Sequence, residues 1–146
     1  MVDSKKNIPH VVIIGGGFGG LNAAKTLASS PVQITLLDRK NHHVFQPLLY
    51  QVATAGLSPA DISAPIRHVL YKQKNLEVIL TEAKEIDVAG KQVVTSNNPI
   101  PYDYLIIATG SRHSYFGKDD WEKYAPGLKS LEDALEIRKR ILCAFE

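Results

Sequence analysis

The sequence predicts an α/β fold in which a parallel sheet is wound by helices and carries a β-hairpin or meander insertion. Three observations lead there. An apolar run, HVVII at residues 10–14, breaks into GGGFGG. A helical pattern and a second apolar run, VQITLLD, follow, so that strand, glycine turn, helix and strand occupy fewer than 30 residues. Farther on the hydrophobic period falls to two, and another apolar run ends in Ala108, Thr109 and Gly110.

His10 to Ile14 is apolar, β-branched and stopped by glycine, as a buried strand requires. From Phe18, residues Leu21, Ala24, Leu27 and Ala28 recur at helical spacing until Ser29-Ser30-Pro31 ends the helix. Val32 to Leu37, closed by Asp38, is the second strand. The unit is βαβ, with parallel strands and a right-handed crossover. Residues 41–74 read as short helical pieces. Pro47 sits in one first turn, with Gly56 just past that helix's end. Ser58, Pro59 and Asp61 form a second helix start. Pro65 opens a third, with Ile66, Val69 and Leu70 on one face. Leu76 to Leu80 is a strand, and AKEIDVAGKQVVTS reads as a hairpin about Ala89-Gly90 with Ile86 and Val88 facing one way. Tyr102 to Thr109 is a further buried strand, with Tyr102 and Tyr104 as packing residues. A loop through Pro126-Gly127 contains Trp121, expected in a small satellite cluster. The last helix has Ser130 as N-cap and Asp133 at its third position. Leu131, Leu135 and Leu142, with Ala134 or Ile141, are its expected apolar stripe. It runs to Glu146 without a C-cap glycine, so a longer protein is expected, with the fold incomplete at the C-terminus.

Composition narrows the function. The chain has 146 residues, 45% of them hydrophobic and 22% charged, enough for one domain with a core. A net charge of +2, with basic residues dispersed among acids, gives no support for nucleic-acid binding. The densest basic run, Arg138 to Arg140, reads as a solvated helix face. Cys143 is the only cysteine, which excludes an internal disulfide and a multi-cysteine metal site. The first ten residues lack the apolar core of a secretory signal. No apolar stretch approaches the roughly 18 residues of a membrane span. His42 and His43 fall in a loop without metal-ligand spacing, as surface or turn residues.

The glycine turn carries the chemistry. Gly15, Gly17 and Gly20 form G-x-G-x-x-G, with Gly16 and Gly19 as extras. Gly15 permits the tight turn, Gly17 lets a pyrophosphate approach the backbone, and Gly20 lets the helix pack close to the sheet. The helix start offers N–H groups and its positive dipole end to phosphates. The motif gains weight because it follows a strand, opens a helix and precedes a second strand. Asp38, 18 positions after Gly20, can accept hydrogen bonds from a ribose 2′-OH and would repel a 2′-phosphate, although Arg39 and Lys40 weaken that exclusion. The expected ligand is a dinucleotide, and the βαβ unit by itself does not separate FAD from NAD.

The remaining residues do separate them. No tyrosine (50, 71, 102, 104, 115 or 124) has a lysine four places on, as short-chain NAD dehydrogenases require. The N-terminal glycine motif, the hairpin insertion and the strand ending in Ala108-Thr109-Gly110 are similar to flavoproteins built from two dinucleotide-binding domains. FQPLLYQVATAGLSPADISAPIRHVL, YDYLIIATGSRHSYFG and APGLKSLEDALEIRKRILCAFE together resemble bacterial type II NADH:quinone oxidoreductases over essentially the whole chain.

The resemblance implies a Rossmann-like FAD-binding domain and FAD as cofactor. NADH and quinone, bound by regions outside this chain, are the implied substrates. It also implies a division in which residues 1–127 are the N-terminal part of the FAD-binding domain and 128–146 are a helix leading toward an NADH-binding domain. The implied protein is cytoplasmic, peripheral on the cytoplasmic face of the inner membrane. The reaction passes hydride from NADH through flavin to quinone, with these residues alone inactive. Implied cofactor contacts are Gly15, Gly17, Phe18, Gly19, Gly20, Asp38 and Arg39 at the adenosine end. Ala83 is implied near the adenine, and Ala108, Thr109 and Gly110 near the pyrophosphate and ribityl chain. Gln46, Pro47 and Leu48 are implied near the ring, where core packing or a helix start is an equal account. No side chain is assigned as an acid, base or metal ligand. With one cysteine, disulfide-reductase and sulfide:quinone reductase chemistry lose support. Other oxidoreductases of the same architecture, such as ferredoxin reductases, and a non-catalytic dinucleotide-binding module remain alternatives. An exposed sheet edge would favour a homodimer.

Overall fold

The computed structural model describes residues 8–146, so most of the N-terminal segment read above for a secretory signal lies outside the described residues. The elements run β1 (His10–Ile14), α1 (Phe18–Thr26), β2 (Gln33–Asp38), β3 (His42–Val44), α2 (Leu49–Ala53), β4 (Ser63–Pro65), α3 (Ile66–Val69), β5 (Leu76–Leu80), β6 (Ala83–Asp87), β7 (Gln92–Thr95), β8 (Ile100–Pro101), β9 (Tyr104–Ile107) and α4 (Leu131–Cys143). Short 3-10 turns occupy Gln46–Leu48, Pro59–Ile62 and Asp119–Lys123. The described residues form two compact units, 8–43 with Pro65–Gly110, and Val44–Ala64 with Ser111–Glu146.

The first unit is α/β. Its sheet has the order β5-β2-β1-β9, parallel at every pairing. Side chains on a strand alternate between faces, and here both faces are covered. Val11 and Ile13 of β1 join Ile34 and Leu36 of β2 against Leu21 and Ala24 of α1 and Ile66 and Leu70 beside α3. Val12, Ile14 and Leu37 point the other way, against Val93, Ile86 and Ile100 of the antiparallel meander β6-β7-β8. Two covered faces explain why β1 reads as a continuous apolar run rather than an alternating one. Each fully buried Ile or Leu contributes about 1.5–3 kcal/mol. The buried Thr35 hydroxyl is satisfied by His10 Nε2 at 2.8 Å. Carbonyls near the end of α1 are met from the loop before β5. Gln73 Nε2 donates to Ala24 O at 2.9 Å, and Asn75 Nδ2 to Leu27 O at 3.1 Å.

The second unit packs helices. Leu49, Val52 and Ala53 of α2, Ile62 and Ala134 of α4 form its core. Both predicted helix starts carry reciprocal caps. Ser58 N–H donates to Asp61 Oδ2 at 2.7 Å, and Ser130 N–H to Asp133 Oδ2 at 2.9 Å.

Several expectations need correction. The strand ending in Ala-Thr-Gly is shorter, Tyr104–Ile107. Tyr104 faces solvent because β9 is an edge strand, while Tyr102 packs on the core. Val88 is 75% exposed: Asp87 accepts from Gly90 N–H and Gln92 Nε2, turning the chain before the alternation reaches it. The apolar stripe of α4 is Leu131, Ala134 and Ile137, whereas Leu135 and Leu142 are exposed. That helix ends at Cys143, and Ala144 caps it. After α2 the left-handed residue is Ala55 (φ 63°), not Gly56. Its N–H donates to Val52 O and that of Gly56 to Gln51 O, the paired bonds of a Schellman end. Trp121 is about half exposed, with Lys118 Nζ 4.8 Å above its ring.

Candidate functional site

The parallel ladder brings the ends of four strands to one edge. Gly15 N–H donates to Leu37 O at 2.8 Å, Ala108 N–H to Ile14 O at 2.8 Å, and Thr81 N–H to Asp38 O at 2.9 Å. Thr81, Asp38, Gly15 and Ala108 therefore form a row at the carboxyl edge, where open α/β sheets bind ligands. The strand order departs in both directions from β1, which makes the end of β1 the switch point of the sheet.

The three motif glycines meet different surroundings. Gly15 has φ +106°, and a Cβ there would strike the Ala108 carbonyl. At Gly20 a Cβ would overlap the Gly15 carbonyl and press on Ile13 Cγ2 at 3.4 Å. Both glycines are required by the protein's own backbone. Gly17 is different, because a Cβ there would meet nothing within 4 Å. It caps α1 without a side-chain hydrogen bond, and the first turn of α1 holds no acid. Gly17, Phe18 and Gly19 are exposed. The result is an open, acid-free helix start at the switch point, with the geometry that accepts anionic oxygens.

Asp38 closes the turn from β2. Its Oδ2 accepts from Gly16 N–H at 2.5 Å and its Oδ1 from Lys40 N–H at 2.6 Å. A carboxylate has about four acceptor positions, so capacity remains for hydroxyl donors. Arg39 is exposed just beyond the strand. The hydroxyl of Thr81 is buried without a partner, an orphaned polar atom on this edge. Ala83, half-buried, starts β6 two residues later. Thr109 and Gly110 are exposed after Ala108, with Gly110 at φ +73°.

The structure thus gathers Gly15, Gly17, Phe18, Gly19, Gly20, Asp38 and Ala108 around one turn. Gln46, Pro47 and Leu48 belong to the second unit, where Leu48 packs on the helical core. The sequence reading missed His43. Its Nδ1 lies 3.2 Å from Gly16 O, and its ring meets Phe18 edge-on at 4.9 Å between centroids. No local signal marks this, because 27 residues separate His43 from Gly16. Thr81 was missed for a similar reason.

A cavity of about 540 Å³ lies in the second unit. Its walls include Asp119, Asp120, Glu122, Asp133 and Glu136, with Lys123 and Arg140. Such walls repel phosphate, so the glycine turn is the better anion site despite its openness. Among the described residues no cluster could hold a metal ion, and no helix is long and apolar enough to cross a membrane.

Comparison with known proteins agrees with this architecture. Residues 9–142 match the model of the pyridine nucleotide-disulphide oxidoreductase family. The type II NADH:quinone oxidoreductase Ndh of Mycobacterium tuberculosis is 54% identical over 141 residues, 94% of this chain and 30% of that protein. The solved NDH2 of Plasmodium falciparum in complex with NADH superposes with a TM-score of 0.80 at 30% identity, over 90% of this chain and 28% of that one. The sulfide:quinone oxidoreductase of Aquifex aeolicus reaches 0.81 at 31% identity, over 94% and 32%. The chain therefore spans about a third or less of these relatives. It belongs to the pyridine nucleotide-disulphide oxidoreductase family, alongside the type II NADH:quinone oxidoreductases.

Proposed function

We propose that the carboxyl edge of the parallel sheet binds FAD, and that the protein acts in NADH:quinone oxidoreduction. The observation that carries the cofactor reading is the contrast among the glycines. Gly15 and Gly20 are required by the fold, whereas Gly17 faces open space, where only a ligand would exclude a side chain. In this reading Gly15 to Gly20 hold the pyrophosphate, and Asp38 and Arg39 take the ribose side. Ala83 lies near the adenine, while Ala108, Thr109 and Gly110 meet the ribityl side. The chemistry supplied by the bound flavin is hydride acceptance from NADH and two-electron reduction of a quinone. The chain's own residues bind, orient and neutralise.

The similarity to the mycobacterial enzyme supports the choice of reaction, since its 54% identity exceeds the 36% of the Aquifex aeolicus sulfide-quinone reductase. Residues 1–127 act as part of the FAD-binding domain and 128–146 as the helix leading toward an NADH-binding domain. By themselves these 146 residues do not turn over. The whole protein sits at the cytoplasmic face of the inner membrane, and the β9 edge favours a homodimer. Titrating FAD against the protein with NAD as competitor tests the cofactor reading. Tight FAD binding that NAD does not displace is expected, and a preference for NAD overturns it. Quinone reduction driven by NADH and not by sulfide is expected of the full gene product. Turnover by residues 1–146 alone would refute their proposed inactivity.

A further inference from the structure

We infer that His43 is a positioning residue that sets the direction of the Gly17 N–H, and so orients the bound dinucleotide's pyrophosphate. The inference rests on the FAD reading above. The Gly16 residue is held from both sides. Its N–H is fixed by Asp38 Oδ2, and its carbonyl lies 3.2 Å from His43 Nδ1. A carbonyl oxygen only accepts, so Nδ1 carries a proton and donates. The C=O of Gly16 and the N–H of Gly17 belong to one planar trans peptide and point in opposite directions. Drawing the oxygen toward His43 therefore turns the Gly17 N–H away from His43.

This hold matters because residues 15–17 are all glycine. Without side chains, the peptides of this run rotate at little steric cost. Asp38 restrains only the Gly16 N–H, which belongs to the preceding peptide. The Gly16–Gly17 peptide has His43 as its side-chain restraint. The His43 ring is itself seated edge-on against Phe18, at an interplanar angle of 90°. Phe18 opens α1, so the imidazole is braced by the helix whose N-terminus faces the ligand.

The test compares three variants of the full gene product. His43→Asn places an amide nitrogen where Nδ1 stood. His43→Leu has nearly the same branching and no donor. His43→Phe keeps a ring against Phe18 and no donor. FAD dissociation constants and the 31P resonances of the bound pyrophosphate are measured for each. We expect His43→Leu and His43→Phe to weaken FAD binding about tenfold, the scale of one lost hydrogen bond. The pyrophosphate resonances should shift in both and return toward wild type in His43→Asn. Packing alone would rank Phe above Asn, so that order overturns the inference, as does unchanged binding in all three. If His43→Phe does not fold, the Asn and Leu pair decides by itself. A wild-type protein that does not take up FAD overturns the cofactor reading and this inference with it. A wild type that binds while Asn and Leu behave alike overturns only the role of His43.

Discussion

The two units meet different demands with different residues. In the first, β1 and β2 bury side chains on both faces, and its critical glycines are placed by backbone contacts. In the second, a small core of Leu49, Val52, Ala53, Ile62 and Ala134 leaves large apolar groups in solvent, with Phe116 93% and Phe145 88% exposed. One of its left-handed residues is an alanine, Ala55. The difference teaches where substitution is tolerated. The strands β1 and β2 have little slack, and the helical unit has slack outside its core.

The largest effect should separate two glycines three residues apart. Gly20→Ala forces a methyl group onto the Gly15 carbonyl and should cost about 3 kcal/mol. Gly17→Ala should cost no more than about 1 kcal/mol, the N-cap preference for glycine over alanine, because nothing lies near its Cβ. Gly17→Ala should nevertheless weaken FAD binding. Urea unfolding beside FAD titration reads both, and equal destabilisation would erase the distinction between structural and ligand-facing glycines.

Within the helical unit, Ala134→Leu overfills a fully buried position and should cost about 2 kcal/mol. On the same helix, Leu142→Gln at an exposed position should change stability by less than about 0.5 kcal/mol. Thermal melts of the two variants would break the assigned stripe if their order reversed. Ala55→Gly relieves a left-handed alanine and should stabilise by about 0.5 kcal/mol, seen as a higher urea midpoint.

The smallest effect is electrostatic. The hydrogen bond and charge of Arg140 hold the Glu136 carboxyl below its ordinary value of 4.5. A depressed folded value stabilises above the unfolded value and is lost as pH falls through the folded one. Wild type should therefore lose slightly more stability than Glu136→Gln below about pH 4.5. Parallel melting curves at every pH would remove the pair from the account.

Much of the fold was legible because its signals are local. The run into glycine placed β1 and the start of α1, and the Ser58–Asp61 and Ser130–Asp133 spacings gave both capped starts. Gly15, Gly17, Gly20 and Asp38 could be read as one site because the βαβ unit keeps them within a short stretch. Leu135 and Leu142 could not be told from Ile137, because an amphipathic pattern does not say which flank of a helix meets its neighbour. Val88 was misread because hydrogen bonds donated to the Asp87 carboxylate override strand alternation.

The sequence by itself determined the α/β class, the glycine turn and the carboxylate that closes it, since each depends on neighbours in the chain and on backbone sterics. Only the tertiary structure decided that β9 pairs beside β1, that Thr81 joins Asp38 at the sheet edge, and that His43 meets Gly16. These pairings bring together residues from 27 to more than 90 positions apart, and local propensity carries no information across such separations. They form because burying both faces of β1 and β2 outweighs the entropy of closing those loops.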